Sequence, residues 1–369
     1  MGPIVITGGG TGGHIFPMQA IAQRLETKGV AKADLRYVGS ERGQESVLLA
    51  DDGIELTLLP GRGIRRSFKF DATVENIGAV IGLVRAVALA GAKMRRWRPA
   101  AVVSVGGYAS FAIALSAVIW RSPLVLVDLD AEPGAAHRLL ARFATRRCVA
   151  FASDEARTVV TGAPVRDSVA AVDRSSEARG AARRNCDPVV DEARVVVVVM
   201  TGSLGSARVN SAVLELAQLW AQRSDVSLWH VTGRRDYESV CAARPDTNGL
   251  DYRVLEFVDM AQLWAIADVA VCRAGAVTLA ELTVLAIPSI LVPLPNAPGD
   301  HQTKNALRVA NAGGARIIED ASCTGEALAG HLEAVMRPDV RAQMSLAAAS
   351  IARPDAAGAI ADVVLGARR

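Results

Sequence analysis

With 369 residues, the chain is too long for one ordinary domain and fits two of about 150–200 residues each. Hydrophobic residues make up 51% and charged residues 21%, which supplies material for large cores and excludes a disordered chain. Lysine and arginine number 41 against 38 acidic residues, too even a balance for a nucleic-acid binder that works through bulk charge.

The five cysteines (Cys148, Cys186, Cys241, Cys272, Cys323) are scattered and show no Cys-x-x-Cys spacing. This argues against a disulfide framework or a zinc site and fits a reducing cytosol. Met1-Gly2-Pro3 runs straight into Ile4-Val5-Ile6-Thr7 without a basic stretch, so no signal peptide is expected.

Short apolar runs alternate with helical patterns along the whole chain, the signature of parallel sheets built from βαβ units. In the first half, strands are expected at 4–7, 35–38, 54–59, 101–105, 124–127 and 149–152. After the first of these, Met18, Ile21, Ala22 and Leu25 fall at the spacing of a helix with one face against a sheet. Residues 99–120 carry no charged side chain and are long enough to span a bilayer. Gly106-Gly107 interrupts them, however, so a buried strand, a turn and a helix over 111–120 is the better account. Between 167 and 194 the composition turns charged and small, as in a helix with solvated faces followed by a loop. Five valines and Met200 at 195–200 then restart the pattern with a strand apolar on both faces. Further strands are expected at 227–231, 252–257, 269–272, 289–292 and 315–318. The fold class is therefore α/β, with two Rossmann-like doubly wound domains. Ligands of such sheets bind beyond the carboxyl ends of the strands, and the cleft between the domains is the expected site.

Gly8-Gly9-Gly10-Thr11-Gly12-Gly13-His14 follows the first strand and opens a helix. Glycines there allow close backbone approach, and a helix N-terminus offers free N–H groups to an anion. The same stretch satisfies a dinucleotide-binding pattern, but that reading needs an acidic residue at the end of the second strand, which ends Val38-Gly39-Ser40 with Glu41 one or two places late. His14 is a candidate base for a hydroxyl nucleophile, or a helix-start histidine bonded to backbone. A second glycine turn, Thr201-Gly202-Ser203-Leu204-Gly205-Ser206, follows the valine strand. There Ser203 could add a hydroxyl to a phosphate site, although a plain strand-to-helix turn needs the same glycines. Arg273-Ala274-Gly275-Ala276 follows another apolar strand, and Glu281 lies a helical turn beyond. A carboxylate so placed can accept two ribose hydroxyls, or simply favour the positive end of a helix.

These segments, in this order, resemble the MurG family, which transfers N-acetylglucosamine (GlcNAc) to the lipid-linked muramyl-pentapeptide precursor of peptidoglycan. The resemblance covers nearly the whole chain, and its most specific pieces lie at 9–17, 105–108, 162–166, 202–208 and 272–281. It implies a GT-B fold with an acceptor-binding, membrane-facing domain at 1–164 and a UDP-GlcNAc-binding domain at 165–345. A C-terminal helix at 346–369 is expected to return to the first domain. Donor contacts carried over by the resemblance fall on Thr11, Gly12, Gly13, Asp130, Arg166, Ser203, Val258 beside uracil, Ala276, Glu281 on ribose, and Gln302. Acceptor diphosphate contacts fall on Gly13, Gly106, Gly107 and Tyr108. The reaction implied is inverting displacement by the acceptor's C4 hydroxyl, with His14 as base or as the group that orients the acceptor diphosphate.

Two departures stand out. His301-Gln302 replaces a pair of glutamines, and Val127-Asp128-Leu129-Asp130 replaces the family's His-Glu-Gln-Asn. Asp130 thus takes the place of an asparagine expected to touch the acetylated sugar. Asp128-Leu129-Asp130 also forms a DxD, by which other glycosyltransferases hold a metal. It lies in the acceptor half, so neither metal nor cofactor is expected; helix N-termini can stabilise departing UDP.

The partners implied are UDP-GlcNAc, undecaprenyl-pyrophosphoryl-MurNAc-pentapeptide, an anionic membrane and other cell-wall synthesis proteins, with no nucleic acid. Arg62, Ile64, Arg65, Arg66, Phe68, Lys69 and Phe70 mix cations with apolar residues, as an interfacial segment does, and 93–98 adds a basic patch with Trp97. Both also fit solvated basic surface. The expected location is the cytoplasmic face of the plasma membrane. The competing readings are a nicotinamide-dependent oxidoreductase sharing the first glycine loop, a related transferase with altered sugar or acceptor choice, and an inactive scaffold.

Overall fold

The computed structural model describes residues 2–60, 70–108, 110–152, 155–202 and 204–368, with the side chains of 70–80 outside that description. The chain divides into two compact units, one of Met1–Arg166 with Pro354–Arg369 and one of Asp167–Arg353.

The first unit holds a seven-stranded sheet among its described residues: β1 (Ile4–Thr7), β2 (Leu35–Ser40), β3 (Glu55–Leu59), β4 (Ala101–Ser104), β5 (Leu124–Asp128), β6 (Arg146–Val149) and β7 (Thr158–Val160). Every pairing is parallel, in the order β3-β2-β1-β4-β5-β6-β7. The second unit holds β8 (Val195–Met200), β9 (Val226–Val231), β10 (Asp251–Leu255), β11 (Val269–Cys272), β12 (Ser289–Leu291) and β13 (Ala315–Ile317), in the order β10-β9-β8-β11-β12-β13. These pairings are parallel as well. Both sheets are doubly wound, and each reverses its strand order beside its first strand, between β1 and β4 and between β8 and β11. Crevices open at such reversals, so the topology marks the carboxyl ends of these four strands.

Burial explains why these segments are strands. Val196 to Val199 are fully buried in the centre of the second sheet. Each such valine contributes roughly 1.5–3 kcal/mol relative to an exposed one. The helix Gly12–Thr27 buries Met18, Ile21, Ala22 and Leu25, the face that the spacing predicts. Residues 99–120 form β4, a glycine turn and the helix Ser110–Ile119, whose Ala112, Ile113, Ala114 and Ala117 pack with Val102, Leu124 and Leu126. No helix among the described residues is long and apolar enough to cross a membrane.

The sixth strand departs from expectation, running over Arg146–Val149 rather than 149–152, and a seventh strand follows at Thr158–Val160. Two arginines hid the first from an apolar-run criterion. Arg147 is buried nonetheless, because its guanidinium donates to Asp128 at the end of neighbouring β5. The short β7 lies at the sheet edge with Val159 and Val160 partly in solvent, so it carries little apolar pattern. The helix Ser176–Arg184 is capped by Ser175, whose Oγ accepts from Ala178 N–H. Its faces are less solvated than expected, since the buried Arg183 donates to the Ile266 carbonyl and to Asp268.

Candidate active site

In the first unit, two glycine turns meet back to back at the sheet's reversal point. A Cβ on Gly107 would stand 2.5 Å from the Gly9 carbonyl oxygen, so the backbones touch where only glycine fits. Gly106 and Gly107 both adopt positive φ, at 101° and 81°, which reinforces that requirement. The Tyr108 ring covers Gly10, and its hydroxyl lies 3.1 Å from Ser40 Oγ. His14, half-buried in the first turn of Gly12–Thr27, brings Nε2 to 3.5 Å from the point where a Gly106 Cβ would sit. The fold thus gathers Thr11, Gly12, Gly13, His14, Gly106, Gly107 and Tyr108 at neighbouring strand ends. Asp130 follows β5, one strand further along. Arg166 ends the contiguous part of this unit with its guanidinium 4.0 Å from the Phe16 ring centroid.

Sequence reasoning missed several residues that shape this end of the sheet. Glu45 is fully buried, and its Oε1 accepts from the Gly10 and Ser40 N–H groups at 3.0 and 3.1 Å. It fills the space that side chains on Gly9, Gly39 or Gly43 would need. A carboxylate thus fixes the first glycine loop, and only a lone glutamate among small residues hinted at it. Asp128 is engaged at both oxygens, Oδ1 by His137 Nδ1 at 2.7 Å and Oδ2 by Arg147 Nε and Nη2 at 3.2 and 3.0 Å. Burial alone would raise its pKa, but the hydrogen bonds and charges of His137 and Arg147 outweigh burial and hold it below the usual carboxylate value. The first aspartate of the DxD is therefore committed to protein partners. Among the described residues no cluster of three or more His, Cys, Asp or Glu is placed to hold a metal ion.

In the second unit, the loops after β8 and β11 lie side by side. Ser206 caps the helix Ala207–Leu219 and accepts a hydrogen bond from Arg273, which also donates to the carbonyls of Val292 and Pro293 after β12. One guanidinium ties three strand ends together. Gly275 and Ala276 start the helix Ala276–Val284, and Glu281 stands on its buried side, 4% exposed. The indole N–H of fully buried Trp264 donates to Glu281 Oε2 at 2.9 Å. Gln302 Oε1 accepts from the Ala274 and Leu294 N–H groups, which fixes the amide so that its NH₂ is turned away from those two loops. His301 donates its Nδ1 hydrogen to the Pro298 carbonyl. Val258 follows β10 beside Phe257, whose ring is exposed with the Arg234 guanidinium 5.9 Å from its centroid. Ala276, Glu281 and Gln302 thus gather at the β11 end, whereas Val258 follows β10, three strands away in the sheet. Ser203 lies outside the described residues, as do Arg62, Ile64, Arg65, Arg66, Phe68 and Lys69. Phe70 begins the helix Phe70–Trp97, its side chain outside the description.

Residues 4–149 match the glycosyltransferase family 28 N-terminal domain, and 196–360 match the family 28 C-terminal domain. The UDP-N-acetylglucosamine--N-acetylmuramyl-(pentapeptide) pyrophosphoryl-undecaprenol N-acetylglucosamine transferase of Desulforudis audaxviator is 33% identical, over 98% of this chain and 97% of its own. The protein of the same description from Moorella thermoacetica is 35% identical, over 98% of each chain. The crystal structure of Acinetobacter baumannii MurG superposes with a TM-score of 0.76 at 26% identity, covering 99% of this chain and 100% of that one. The chain belongs to the MurG family.

The two sheets are accordingly the Rossmann-like halves of a GT-B glycosyltransferase, as the sequence resemblance implies. The two departures fall in different family 28 domains. Asp130 lies in the N-terminal match and is half-exposed, whereas His301 lies in the C-terminal one, with Nδ1 bonded to backbone.

Proposed function

We propose that this chain transfers GlcNAc from UDP-GlcNAc to the C4 hydroxyl of lipid-linked MurNAc-pentapeptide, converting lipid I to lipid II in peptidoglycan synthesis. The observation that carries this reading is family membership over nearly the whole chain, at 33–35% identity to transferases of that description. The second unit is read as the donor unit. Its two glycine-turn helix N-termini present N–H groups and positive dipole ends suited to a diphosphate, and the same groups stabilise departing UDP. Glu281 accepts the ribose hydroxyls, Val258 lies beside uracil, and Ala276, Ser203 and the Gln302 amide contact diphosphate and sugar. Thr11, Gly12, Gly13, Asp130 and Arg166 complete the donor contacts from the first unit.

The first unit is read as the acceptor unit. Backbone N–H groups of Gly13, Gly106, Gly107 and Tyr108 hold the acceptor diphosphate, and His14 takes the proton of the attacking hydroxyl or orients that diphosphate. Gly106 and Gly107, required there by positive φ and close packing, also leave their N–H groups uncovered by side chains, which suits an anion. Because the acceptor carries a lipid, we assign this unit to the cytoplasmic membrane face. The helix Phe70–Trp97 supports the assignment with Ile81 and Val84 64% and 65% exposed and with exposed Arg95 and Arg96 in its last turn. Contact with other cell-wall synthesis proteins belongs to the same reading.

The test is transfer of labelled GlcNAc from UDP-GlcNAc to a lipid I analogue, with other UDP-sugars as competitors. Labelled lipid II analogue is the expected product. Preference for another sugar would assign Asp130 to altered donor choice, and UDP binding without turnover would favour the scaffold reading.

A further inference from the structure

Beneath the Gly106-Gly107 turn lies a buried hydrogen-bonded chain that the transfer chemistry above does not use. Ser104 ends β4, Asp128 ends the adjacent β5, and His137 belongs to the short helix Ala135–Leu140 that follows. Ser104 Oγ lies 2.8 Å from His137 Nε2, and His137 Nδ1 lies 2.7 Å from Asp128 Oδ1. Arg147 holds the other oxygen of Asp128 with two N–H groups and also pairs with Glu155. Exposures of Ser104, His137 and Asp128 are 0%, 4% and 5%.

The order Ser-His-Asp is that of a nucleophilic triad. A serine with no exposed surface cannot meet a substrate carbonyl, so this trio does not act as a nucleophilic triad. Its geometry suits holding instead. The Asp128 carboxylate can only accept, so His137 Nδ1 carries a hydrogen, and Nε2 shares a hydrogen with the Ser104 hydroxyl. The imidazole is pinned at both nitrogens. A Cβ on Gly106 would sit 3.7 Å from His137 Cε1 and 3.5 Å from His14 Nε2, so the two imidazoles flank one backbone position.

We propose that His137 is a positioning residue for the transfer: pinned between Asp128 and Ser104, it fixes the Gly106 turn and, through it, the place of His14 against the acceptor. This rests on the reading of His14 and the 106–108 turn as acceptor machinery. Displacements of about 1 Å at such a site can cost 10²-fold in rate, so His137→Ala is expected to lower acceptor kcat/KM by about 10- to 100-fold. The KM for UDP-GlcNAc should change less than acceptor kcat/KM, because the uracil, ribose and most diphosphate contacts are read onto the other unit.

The experiment is steady-state kinetics of the full-length enzyme in a double-mutant cycle of His137→Ala with His14→Ala. In the His14→Ala background, His137→Ala should cost less than about threefold, since it acts through the residue already removed. His137→Gln, which can donate to Asp128 and accept from Ser104, should recover most of the loss. Ser104→Ala removes one hydroxyl and leaves the Asp128–Arg147 pair intact, so it carries the test if His137→Ala does not fold; a selective loss in acceptor kcat/KM is expected. Effects of His137 and His14 that multiply in full, or an equal rise in donor and acceptor KM, would overturn the proposal. An impaired His14→Ala enzyme beside an unimpaired His137→Ala enzyme sinks this proposal alone, whereas an unimpaired His14→Ala enzyme sinks the reading of His14 itself.

Discussion

Trp264 holds in place Glu281, the carboxylate we propose for the ribose. A buried carboxylate needs donors, and the indole N–H supplies one at 2.9 Å from a side chain that is itself fully buried. Trp264→Phe keeps the ring's bulk and removes that donor. We expect it to weaken UDP binding by about 1–2 kcal/mol, and Glu281→Ala by about 1–3 kcal/mol, the scale of hydrogen bonds to a charged group. Calorimetric titration with UDP measures both, and unchanged affinity in Glu281→Ala would remove it from the ribose. His14 belongs to the other unit and predicts the opposite pattern. His14→Ala should lower turnover by about 10²–10⁴, as loss of a general base does, with UDP-GlcNAc affinity little altered. A matching loss of donor affinity would move His14 to the donor side.

At the level of elements, the helix Ala207–Leu219 is fixed to its sheet by a buried polar chain. His230 on β9 meets Asn210 Oδ1 through Nε2 at 2.8 Å and the Tyr252 hydroxyl through Nδ1 at 2.9 Å. The Asn210 amide donates to the Thr232 carbonyl and to Asp236, so its oxygen accepts and His230 Nε2 must carry the hydrogen. Burial pushes the His230 pKa down to about 3, and the ring stays neutral. Unfolding exposes it, and the unfolded chain takes up a proton below the ordinary histidine value of about 6.5. Stability linked to His230 is therefore fully present above that pH and falls as the pH drops from there towards 3. The loss by pH 5 is roughly 2 kcal/mol. Urea unfolding of the wild type and His230→Gln at pH 7 and pH 5 checks this, since the pH effect should shrink in the variant. Equal pH effects would contradict it.

Elements were legible in the sequence to the extent that they carry apolar runs. The Val195 to Val199 run and the Met18, Ile21, Ala22, Leu25 spacing announced a buried strand and an amphipathic helix, and both are there. Arg147 breaks the apolar run of β6 and shifts the expected strand along the chain, and its burial makes sense only once Asp128, 19 residues earlier, is beside it. Side chains brought together by the fold were less visible still. Glu45 reaches Gly10 across 35 residues and Trp264 reaches Glu281 across 17, and neither pair has a sequence signature. Glycine turns announced themselves through local backbone demands; the side chains that brace them did not.

For the whole molecule, two properties follow from the proposed division of labour. Asp128 is committed to His137 and Arg147, and UDP is read onto helix N-termini, so transfer should survive thorough chelation. Complete loss with EDTA, restored by Mn²⁺ or Mg²⁺, would revive a metal-dependent reading. Membrane binding is the second property. Each cation close to an anionic surface contributes about 1 kcal/mol, and Arg62, Arg65, Arg66 and Lys69 lie in one short stretch. The protein should therefore co-sediment with anionic vesicles more than neutral ones, and less at high salt. Replacing the four cations with serine should weaken it; if both proteins sediment equally, the 93–98 patch is the next candidate. The central claim is the bond that is made, and NMR of the purified product reads it most directly. UDP-GlcNAc and a lipid I analogue should give one UDP per new glycosidic bond, at C4 of the muramyl sugar and inverted from α in the donor to β. An α linkage, a bond at another hydroxyl, or UDP released without transfer would contradict the account.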